Sequence, residues 1–424
     1  MRILFIALFF LTGCSPKHFI KKEIGKTEQS LQEHLGFYLY DPSLKKTLID
    51  YNGAKYFIPA SNTKIFTLYT SLRLLGDSVA SLKYVKHGDS LIFQGLGDPS
   101  FLYKNVFDNG RTYQFLKNFS GQLFFSPANF QTEHLGAGWA WDDYNFYYSA
   151  ERSAFPMYGN LIFIKRLTEN NLTFQPSFFS KVLHYSAEIH EHDEIIRGLD
   201  SNDLTYFSGK KKSNQTVPFH TNDSLAIALL SDTLHRAVTK INFPLTKDAT
   251  VLKSIPSDSV YKVMMQDSDN FIAEQLLLQC AMFVSDTLKP EIAINYSKRN
   301  FLSDLPDAPQ WVDGSGLSRL NLFTPRSIVF LWSKIYETVS RERLFKILAV
   351  SGQSGTLKNW YKADRPYIFG KTGSLSNNHC LSGFLFTKNG KLLLFSFMNN
   401  NFTVSGNDLR KQMENILKQV HDKL

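Results

Sequence analysis

The stretch Phe57-Ile-Pro-Ala-Ser-Asn-Thr-Lys64 leads directly into a run of apolar residues with helical spacing. That spacing predicts a helix that begins at Ser61 and stops at Gly76. A serine and a lysine three residues apart lie on one face of such a helix, within reach of each other. A serine hydroxyl becomes a competent nucleophile when a neutral amine accepts its proton, so Ser61 and Lys64 predict nucleophilic catalysis.

The segments on either side of this helix predict a sheet. Between Leu35 and Tyr56, two short apolar runs are separated by turn signals, which indicates antiparallel strands. Near the other end of the chain, the runs Leu381 to Thr387 and Leu392 to Met398 are joined through Asn389-Gly390 as a second hairpin. A last helix is predicted from Asp408 to Leu424.

The stretch from Asp77 to Thr250 differs from both ends, with many aromatic residues and turn dipeptides. We interpret it as a strand-rich inserted domain over 77–250. The predicted fold class is therefore α/β (α+β): an antiparallel sheet flanked by helices, built from 33–76 and 251–424 and interrupted by the insert.

Two further motifs follow in the chain. Ser268-Asp269-Asn270 precedes the helical run Phe271 to Gln279, and Lys371-Thr372-Gly373 is followed by Ser374 and a predicted strand. Taken alone, the first is typical of a helix N-cap and the second of a solvated lysine entering a turn. In the order Ser-x-x-Lys, Ser-x-Asn, Lys-Thr-Gly, the three motifs form a specific signal.

With these motifs the chain resembles the penicillin-recognising serine acyl-transferases. Within them it is similar to the low-molecular-mass class C penicillin-binding proteins, which are D-alanyl-D-alanine carboxypeptidases and endopeptidases of peptidoglycan. Further stretches carry the resemblance: Gly95-Leu-Gly-Asp-Pro-Ser100, Trp139-Ala-Trp-Asp-Asp-Tyr144, Asp313-Gly-Ser-Gly-Leu-Ser-Arg319 and Ser354-Gly-Thr-Leu357. The resemblance implies a β-lactamase/transpeptidase-like core. The 204-residue interval between Lys64 and Ser268 is far longer than in class A β-lactamases, which argues against a β-lactamase. A β-lactamase and a non-catalytic wall sensor are the two alternative functions.

The resemblance also implies catalytic roles. Ser61 attacks the carbonyl of the penultimate D-alanine, Lys64 takes its proton, and Ser268 relays a proton to the leaving amine. Asn270 holds the substrate amide and positions Lys64. Lys371 supplies a positive field that keeps the Lys64 amine deprotonated and attracts the terminal carboxylate.

Substrate binding is expected mainly at the third motif. The resemblance implies that Thr372 hydrogen-bonds the terminal carboxylate and that Gly373 and Ser374 also belong to the substrate-binding residues. The N–H groups of Ser61 and Ser374 are the expected oxyanion hole. Asp142 is a candidate for a cationic amine on the third residue of the stem peptide, or else a structural turn carboxylate. Peptidoglycan stem peptides are the expected substrates, and β-lactams the expected acylating inhibitors.

The N-terminus predicts where the protein resides. Apolar residues at 3–11 follow Arg2 and end at Leu11-Thr12-Gly13-Cys14, which resembles a bacterial lipobox. We expect a signal peptide over 1–13, lipid attachment at Cys14 and a tether over 14–32, which would make the protein a periplasm-facing lipoprotein of the bacterial envelope. An ordinary secretory signal is the alternative.

Composition and the absence of certain motifs exclude several other functional classes of protein. The 424 residues are 43% hydrophobic and 20% charged, typical of a folded protein. The net charge of +9 is spread without a basic block, which argues against nucleic-acid binding. No nucleotide-binding glycine loop occurs, and His190 with His192 lacks a third ligand, so neither cofactor nor metal is predicted. Cys280 and Cys380 are expected to be buried free thiols.

Overall fold

The computed structural model describes residues 15–103, 106–107, 110–168 and 171–424. The predicted signal peptide and Cys14 lie outside the described residues. Within the described part of the chain, no helix has both the length and the apolar character needed to cross a bilayer.

A six-stranded antiparallel sheet forms the centre of the molecule, in the order β14-β15-β16-β17-β1-β2. The two hairpins predicted from turn signals supply the four neighbouring strands β16-β17-β1-β2, of which β2 is an edge strand. The strands are β1 His34–Asp41, β2 Lys46–Tyr51, β14 Ala349–Val350, β15 Ile368–Leu375, β16 Asn378–Phe386 and β17 Leu392–Asn400.

Helices cover both faces of this sheet, because successive side chains of a strand point to opposite faces. Cys380 and Met398 pack into one core with helices α2 and α5 to α8, whereas Leu381 and Phe397 pack into another with α1 and α10. The helices of this part are α1 Pro16–Leu31, α2 Lys64–Leu74, α5 Ser257–Gln266, α6 Asn270–Ser285, α7 Pro290–Asn300, α8 Pro325–Thr338, α9 Arg341–Ile347 and α10 Gly406–Lys423.

The predicted tether over 14–32 is corrected by the structure, because Pro16–Leu31 form helix α1, which packs against the central sheet. Ile20 and Ile24 are one helical turn apart and almost fully buried against the sheet, while most of the surrounding residues are polar. Ser15 caps the helix by accepting from the His18 N–H, and Gln32 ends it in the left-handed conformation. Two buried residues among many lysines gave too weak a periodic signal to be recognised in the sequence.

The insert contains three small sheets. Their orders are β12-β5-β4-β3-β13, β8-β10-β9 and β11-β6-β7. Its elements are β3 Ser78–His87, β4 Ser90–Gly95, α3 Arg111–Lys117, β5 Gln122–Phe125, β6 Leu161–Thr168, β7 Asn171–Gln175, β8 Leu183–His192, β9 Glu194–Arg197, β10 Leu204–Lys211, β11 Gln215–Pro218, α4 Asp223–Leu234, β12 Val238–Lys240 and β13 Thr250–Pro256.

The insert ends a few residues later in the structure than the predicted boundary at residue 250. Strand β13 pairs antiparallel with β3, so the chain leaves the insert at Pro256 rather than at residue 250. The Ser257 N–H then donates to the Asp77 carbonyl at 2.9 Å, which closes the entry and the exit of the insert against each other.

Polar contacts join the insert to helix α6. Arg152 makes two hydrogen bonds with Glu274, at 2.7 and 2.9 Å, and both residues are buried. Gln275 donates to the carbonyls of Gly97 and Ser153. These contacts fix the segment before Ser153 against the helix that begins at Asn270.

Both cysteines of the described chain are buried and free, which confirms the sequence expectation. Cys280 lies on α6 beside the Ser71 hydroxyl, and Cys380 lies on β16. Burial raises the pKa of each thiol to about 12, so neither is a nucleophile.

Candidate active site

The three motifs meet in one cleft between α2, α6 and β15. Lys64 Nζ lies 2.9 Å from Ser61 Oγ, and Lys371 Nζ lies 2.8 Å from Ser268 Oγ. Lys64 Nζ also lies 2.7 Å from Asn270 Oδ1. Residues that are far apart in the chain are therefore in direct contact, in the arrangement that the motif order predicts.

Ser61 lies in a 3-10 turn over Ala60–Thr63 that leads into α2. Asn62 holds this turn against the sheet, because its amide donates to the Lys371 carbonyl at 3.2 Å and accepts from the Ser382 hydroxyl. Asn62 is fully buried. Ser61 is thus fixed to β15 and β16 by the residue that follows it.

Lys64 is fully buried and has three oxygen neighbours. Besides Ser61 Oγ and Asn270 Oδ1, the Ser315 carbonyl lies 2.7 Å from its Nζ. The amide and carbonyl oxygens only accept, so they take two N–H groups and leave the third position of the nitrogen directed at Ser61. In the neutral amine this position is a lone pair, which is what a base for Ser61 requires.

Burial lowers the pKa of Lys64 to about 8, while the nearby carboxylates of Asp313, Asp269 and Glu274 act in the opposite direction. A neutral amine is therefore well populated near this pH. Burial, followed by the charge of Lys64, also lowers the pKa of Lys371 well below its usual value. Two neighbouring buried amines resist carrying protons together. Here the charge of Lys64 acts on the pKa of Lys371, so the expected field of Lys371 on Lys64 stays a prediction.

A buried loop supplies the carbonyl that contacts Lys64. Asp313 accepts from the N–H groups of Gly316 and Ser318, at 2.8 and 2.7 Å, and Glu274 accepts from the Ser315 N–H at 2.8 Å. Asp313-Gly-Ser-Gly therefore forms a tight structural loop beside Lys64. Gly316 has a φ of +82°, and a Cβ there would lie 1.9 Å from the Ala60 carbonyl oxygen, so the loop packs directly under the nucleophile turn.

Ser268 lies in a strained turn before α6. Its φ is +64°, a left-handed conformation that residues other than glycine seldom adopt. The next residue, Asp269, caps the helix by accepting from the Ile272 N–H at 2.9 Å. The motif therefore does contain a helix N-cap, which is its middle residue, Asp269. The side chains of Ser268 and Asn270 contact Lys371 and Lys64 instead.

The side-chain amide of Asn270 connects both sides of the cleft. Its oxygen accepts from Lys64, and its nitrogen donates to the Tyr148 carbonyl at 2.9 Å. The expected positioning of Lys64 is therefore present. Binding of the substrate amide by Asn270 stays a prediction.

Strand β15 forms the other wall and lies extremely close to the nucleophile. A Cβ added to Gly373 would lie 2.6 Å from the Pro59 carbonyl oxygen and 2.8 Å from the Ser61 nitrogen. Only glycine fits this approach, and it brings the backbone of the third motif beside the Ser61 N–H, where the oxyanion hole is expected.

The two hydroxyls of the third motif have partners behind the cleft. Thr372 Oγ1 donates to Thr356 Oγ1 at 2.7 Å, and Ser374 Oγ lies 2.8 Å from His379 Nδ1. His379 pairs with Ser374 across the sheet, one strand away. Both hydroxyls are thus oriented before any substrate is bound.

Asp142 is exposed in a 3-10 turn over Trp141–Asn145 and forms no hydrogen bond or ion pair with another described residue. Its neighbour Asp143 accepts from the Tyr148 hydroxyl at 2.8 Å. Because the Tyr148 carbonyl contacts Asn270, this turn is linked to the cleft, but the structure does not bring Asp142 onto the motif residues. A substrate role for Asp142 stays a prediction.

Residues 20–420 match the D-Ala-D-Ala carboxypeptidase 3 (S13) family. The chain belongs to this family. The prediction of a serine D-Ala-D-Ala carboxypeptidase among the penicillin-binding proteins is therefore confirmed for this S13 chain.

Two relatives match this S13 chain along most of their length. D-alanyl-D-alanine carboxypeptidase DacB of Haemophilus influenzae is 23% identical, over 89% of this chain and 88% of the relative. Penicillin-sensitive carboxypeptidase A of Dictyostelium discoideum is also 23% identical, over 88% of this chain and 83% of the relative.

Solved structures confirm the predicted fold of this S13 chain. Penicillin binding protein 4 of Haemophilus influenzae matches with a TM-score of 0.71 and 18% identity, over 94% of this chain and 99% of that one. The same protein has been solved with a β-lactam bound. A predatory peptidoglycan endopeptidase of Bdellovibrio bacteriovorus matches with a TM-score of 0.53 and 14% identity, over 92% of each chain.

Proposed function

We propose that this carboxypeptidase cleaves peptidoglycan stem peptides through an acyl-enzyme on Ser61, with Lys64 as the base. The observation that carries the proposal is the environment of Lys64 Nζ, which has two oxygens that only accept and one hydroxyl, all within 2.9 Å. Such a nitrogen is held in the orientation that removes a proton from Ser61.

In the first step, Ser61 Oγ attacks the carbonyl carbon of the penultimate D-alanine while its proton passes to Lys64. Negative charge develops on the carbonyl oxygen and is stabilised by the N–H groups of Ser61 and Ser374, at about 3 kcal/mol per donor. The close approach of Gly373 to the Ser61 nitrogen supports this oxyanion hole.

In the second step, the leaving amine receives a proton and departs. Ser268 is the proposed relay, because its hydroxyl contacts Lys371 and lies on the same turn as Asn270, which contacts Lys64. Lys371, Thr372 and Ser374 bind the carboxylate of the leaving residue. Water then hydrolyses the ester, and a β-lactam takes the first step but blocks the second.

The proposal is tested by the mass of the intact protein after exposure to benzylpenicillin. We expect a covalent adduct on the wild type that is absent in Ser61→Ala. Ser259→Ala is a matched control, since Ser259 also precedes a lysine by three residues but is exposed on α5. An adduct that persists in Ser61→Ala would contradict the assignment, and rapid steady-state hydrolysis of a cephalosporin would favour the β-lactamase alternative.

We also propose that the mature chain begins with a lipid-modified Cys14 and that the enzyme faces the periplasm. The lipobox-like stretch before Cys14 and the peptidoglycan substrate of the family support an envelope location. Metabolic labelling with a radioactive fatty acid should mark the wild type but not Cys14→Ser. Equal labelling of both would contradict this anchor.

A further inference from the structure

A buried ion pair connects the insert with the helix that carries Asn270. Arg152 donates two hydrogen bonds to one oxygen of Glu274, Oε2, at 2.9 and 2.7 Å, and both side chains are buried. Glu274 lies four residues after Asn270, so the two side chains share one face of α6. Asn270 contacts Lys64 from this face, and the ion pair therefore lies on the side of the helix that is turned toward the cleft.

The other oxygen of Glu274 acts on the surroundings of Lys64. Glu274 Oε1 accepts from the Ser315 N–H at 2.8 Å, and the Ser315 carbonyl oxygen lies 2.7 Å from Lys64 Nζ. One carboxylate thus bridges a cation of the insert and the loop that contacts Lys64. Three direct contacts in sequence therefore join the insert to this amine.

Arg152 is held in place by a second residue of the insert. Its guanidinium lies 5.3 Å from the centre of the Trp139 ring. The Trp139 indole N–H donates to Asp313 Oδ2 at 3.0 Å, and Asp313 accepts from backbone N–H groups of the same loop. The insert therefore contacts both carboxylates that hold this loop, Glu274 and Asp313.

Three carboxylates act on the protonation of Lys64, and Arg152 is paired with one of them. Burial lowers the pKa of Lys64 to about 8, whereas these carboxylates favour its protonated form. They belong to Asp313, Asp269 and Glu274. Asp313 and Asp269 accept hydrogen bonds from neutral groups, and burial raises the pKa of both. Glu274 differs from them because it has a cationic partner.

Other titratable side chains near the ion pair have different partners. Glu151 accepts from the Thr221 N–H at 2.7 Å, and its other oxygen lies 2.7 Å from His220 Nδ1. His134 Nδ1 lies 2.7 Å from the Arg152 carbonyl oxygen. The groups of other elements that interact with Lys64 or with Asp269 are Lys371, Asp267 and Tyr103. Among the carboxylates that act on Lys64, the described residues thus supply a cationic side-chain partner in an ion pair to Glu274 alone.

We propose that Arg152 and Glu274 form a positioning pair that tunes the proposed base, Lys64. Arg152 offsets the negative charge of Glu274, which would otherwise hold a proton on Lys64. Glu274 in turn fixes the Ser315 carbonyl that orients the amine. The inference rests on the proposed function, in which Lys64 accepts the Ser61 proton. The insert then acts on the chemistry of a site whose motifs all come from the other part of the chain.

The pH dependence of benzylpenicillin acylation tests the pair, because its midpoint reports the protonation of Lys64 whatever fraction of the protein is folded. Glu274→Gln removes a negative charge and should move the midpoint down by about one pH unit. Arg152→Gln leaves Glu274 without its cation and should move the midpoint up by about 0.5 pH unit. The double variant should lie between the two single variants. Arg152→Lys keeps the charge and should keep the midpoint near the wild-type value.

Arg166→Gln is the matched control. Arg166 and Asp193 form a buried ion pair within the same insert, with a distance of 2.7 Å between Nη1 and Oδ1, and neither is among the groups that act on Lys64. We expect Arg166→Gln to lower the melting temperature, as Arg152→Gln does, and to leave the midpoint at about 8.

Midpoints that stay at the wild-type value in both Arg152→Gln and Glu274→Gln would overturn the pair, because a merely structural contact changes stability and rate but not the protonation of Lys64. Midpoints that move in the same direction in both variants would overturn it too. These outcomes leave the proposed function intact as long as Lys64→Met abolishes the rise of the rate with pH. A wild-type rate that does not rise with pH would overturn the role of Lys64 as the base, and the positioning pair with it.

Discussion

The Lys371 side chain donates a hydrogen bond to the Ser268 hydroxyl at 2.8 Å, although 103 residues of chain separate the two. Lys371 lies on the central sheet, and Ser268 lies on the turn that starts helix α6. The bond therefore spans the cleft from one wall to the other.

The left-handed backbone strain of Ser268 and the proposed relay role of its hydroxyl can be tested separately by substitution. Ser268→Gly removes the hydroxyl and the left-handed strain, whereas Ser268→Ala removes only the hydroxyl. We expect release of D-alanine to fall about 100-fold or more in both. Ser268→Gly should unfold with a free energy about 1 kcal/mol higher than Ser268→Ala in urea titrations. Near-normal turnover by either variant would argue against the relay.

The pKa of Lys64, about 8, predicts the pH dependence of acylation. The neutral amine is the active form, so the second-order rate constant for benzylpenicillin should rise with pH up to about 8 and then level off. Lys64→Met removes the base and should lower the constant about 1000-fold, with no remaining rise. Stopped-flow measurements between pH 6 and 9.5 check this. A wild-type profile that is flat over this range would contradict the role of Lys64.

Gly373 is predicted to tolerate no side chain. The added methyl of Gly373→Ala would meet the Ser61 nitrogen at 2.8 Å, which pushes β15 away from the nucleophile turn. We expect acylation by benzylpenicillin to fall about 100-fold, as for one lost oxyanion donor. Gly76→Ala is the control, since its nearest neighbour is Lys253 Nζ at 4.0 Å. If Gly373→Ala is acylated as fast as Gly76→Ala, the close approach has no catalytic role.

Glu33 should make the protein less stable at high pH. Its carboxylate is buried without a hydrogen-bond partner, and burial, together with the charge of Glu28, raises its pKa to about 8. Between pH 4.5 and about 8, the folded state keeps a proton on Glu33 that the unfolded state has released. The free energy of unfolding therefore falls as the pH rises through this range. Glu33→Gln should remove this loss and raise the free energy of unfolding at pH 9 by about 1 to 3 kcal/mol. An unchanged difference between pH 5 and pH 9 would contradict the assignment.

The sequence predicted which candidate catalytic residues meet in the structure. Ser61, Lys64, Ser268, Asn270 and Lys371 come together as the motif order indicates. Helix and hairpin positions followed from apolar period and turn residues, which are local signals. The order of the central strands was not predicted, because β1 pairs with β17 from the opposite end of the chain and no local signal marks that pairing.

The sequence did not predict the site residues that act through their backbone or through structural contacts. Ser315 contacts Lys64 with its carbonyl, which every residue possesses, so no side-chain signal marks it. Glu274 resembled any helical glutamate until its contacts with Arg152 and the Ser315 N–H were visible. Asn62 occupies a variable position of the first motif, yet it holds the nucleophile turn against the sheet.

If Cys14 carries the proposed lipid, helix α1 limits how far the cleft can move from the bilayer. It begins at Pro16 and is fixed to the body by Ile20 and Ile24, so an acylated Cys14 would have a single intervening residue before the rigid part of the molecule. Such a short linker would keep the cleft at a nearly constant height above the bilayer. Only the layer of the wall that passes within that height would be trimmed, and a flexible spacer placed before Pro16 would widen the zone that the enzyme reaches.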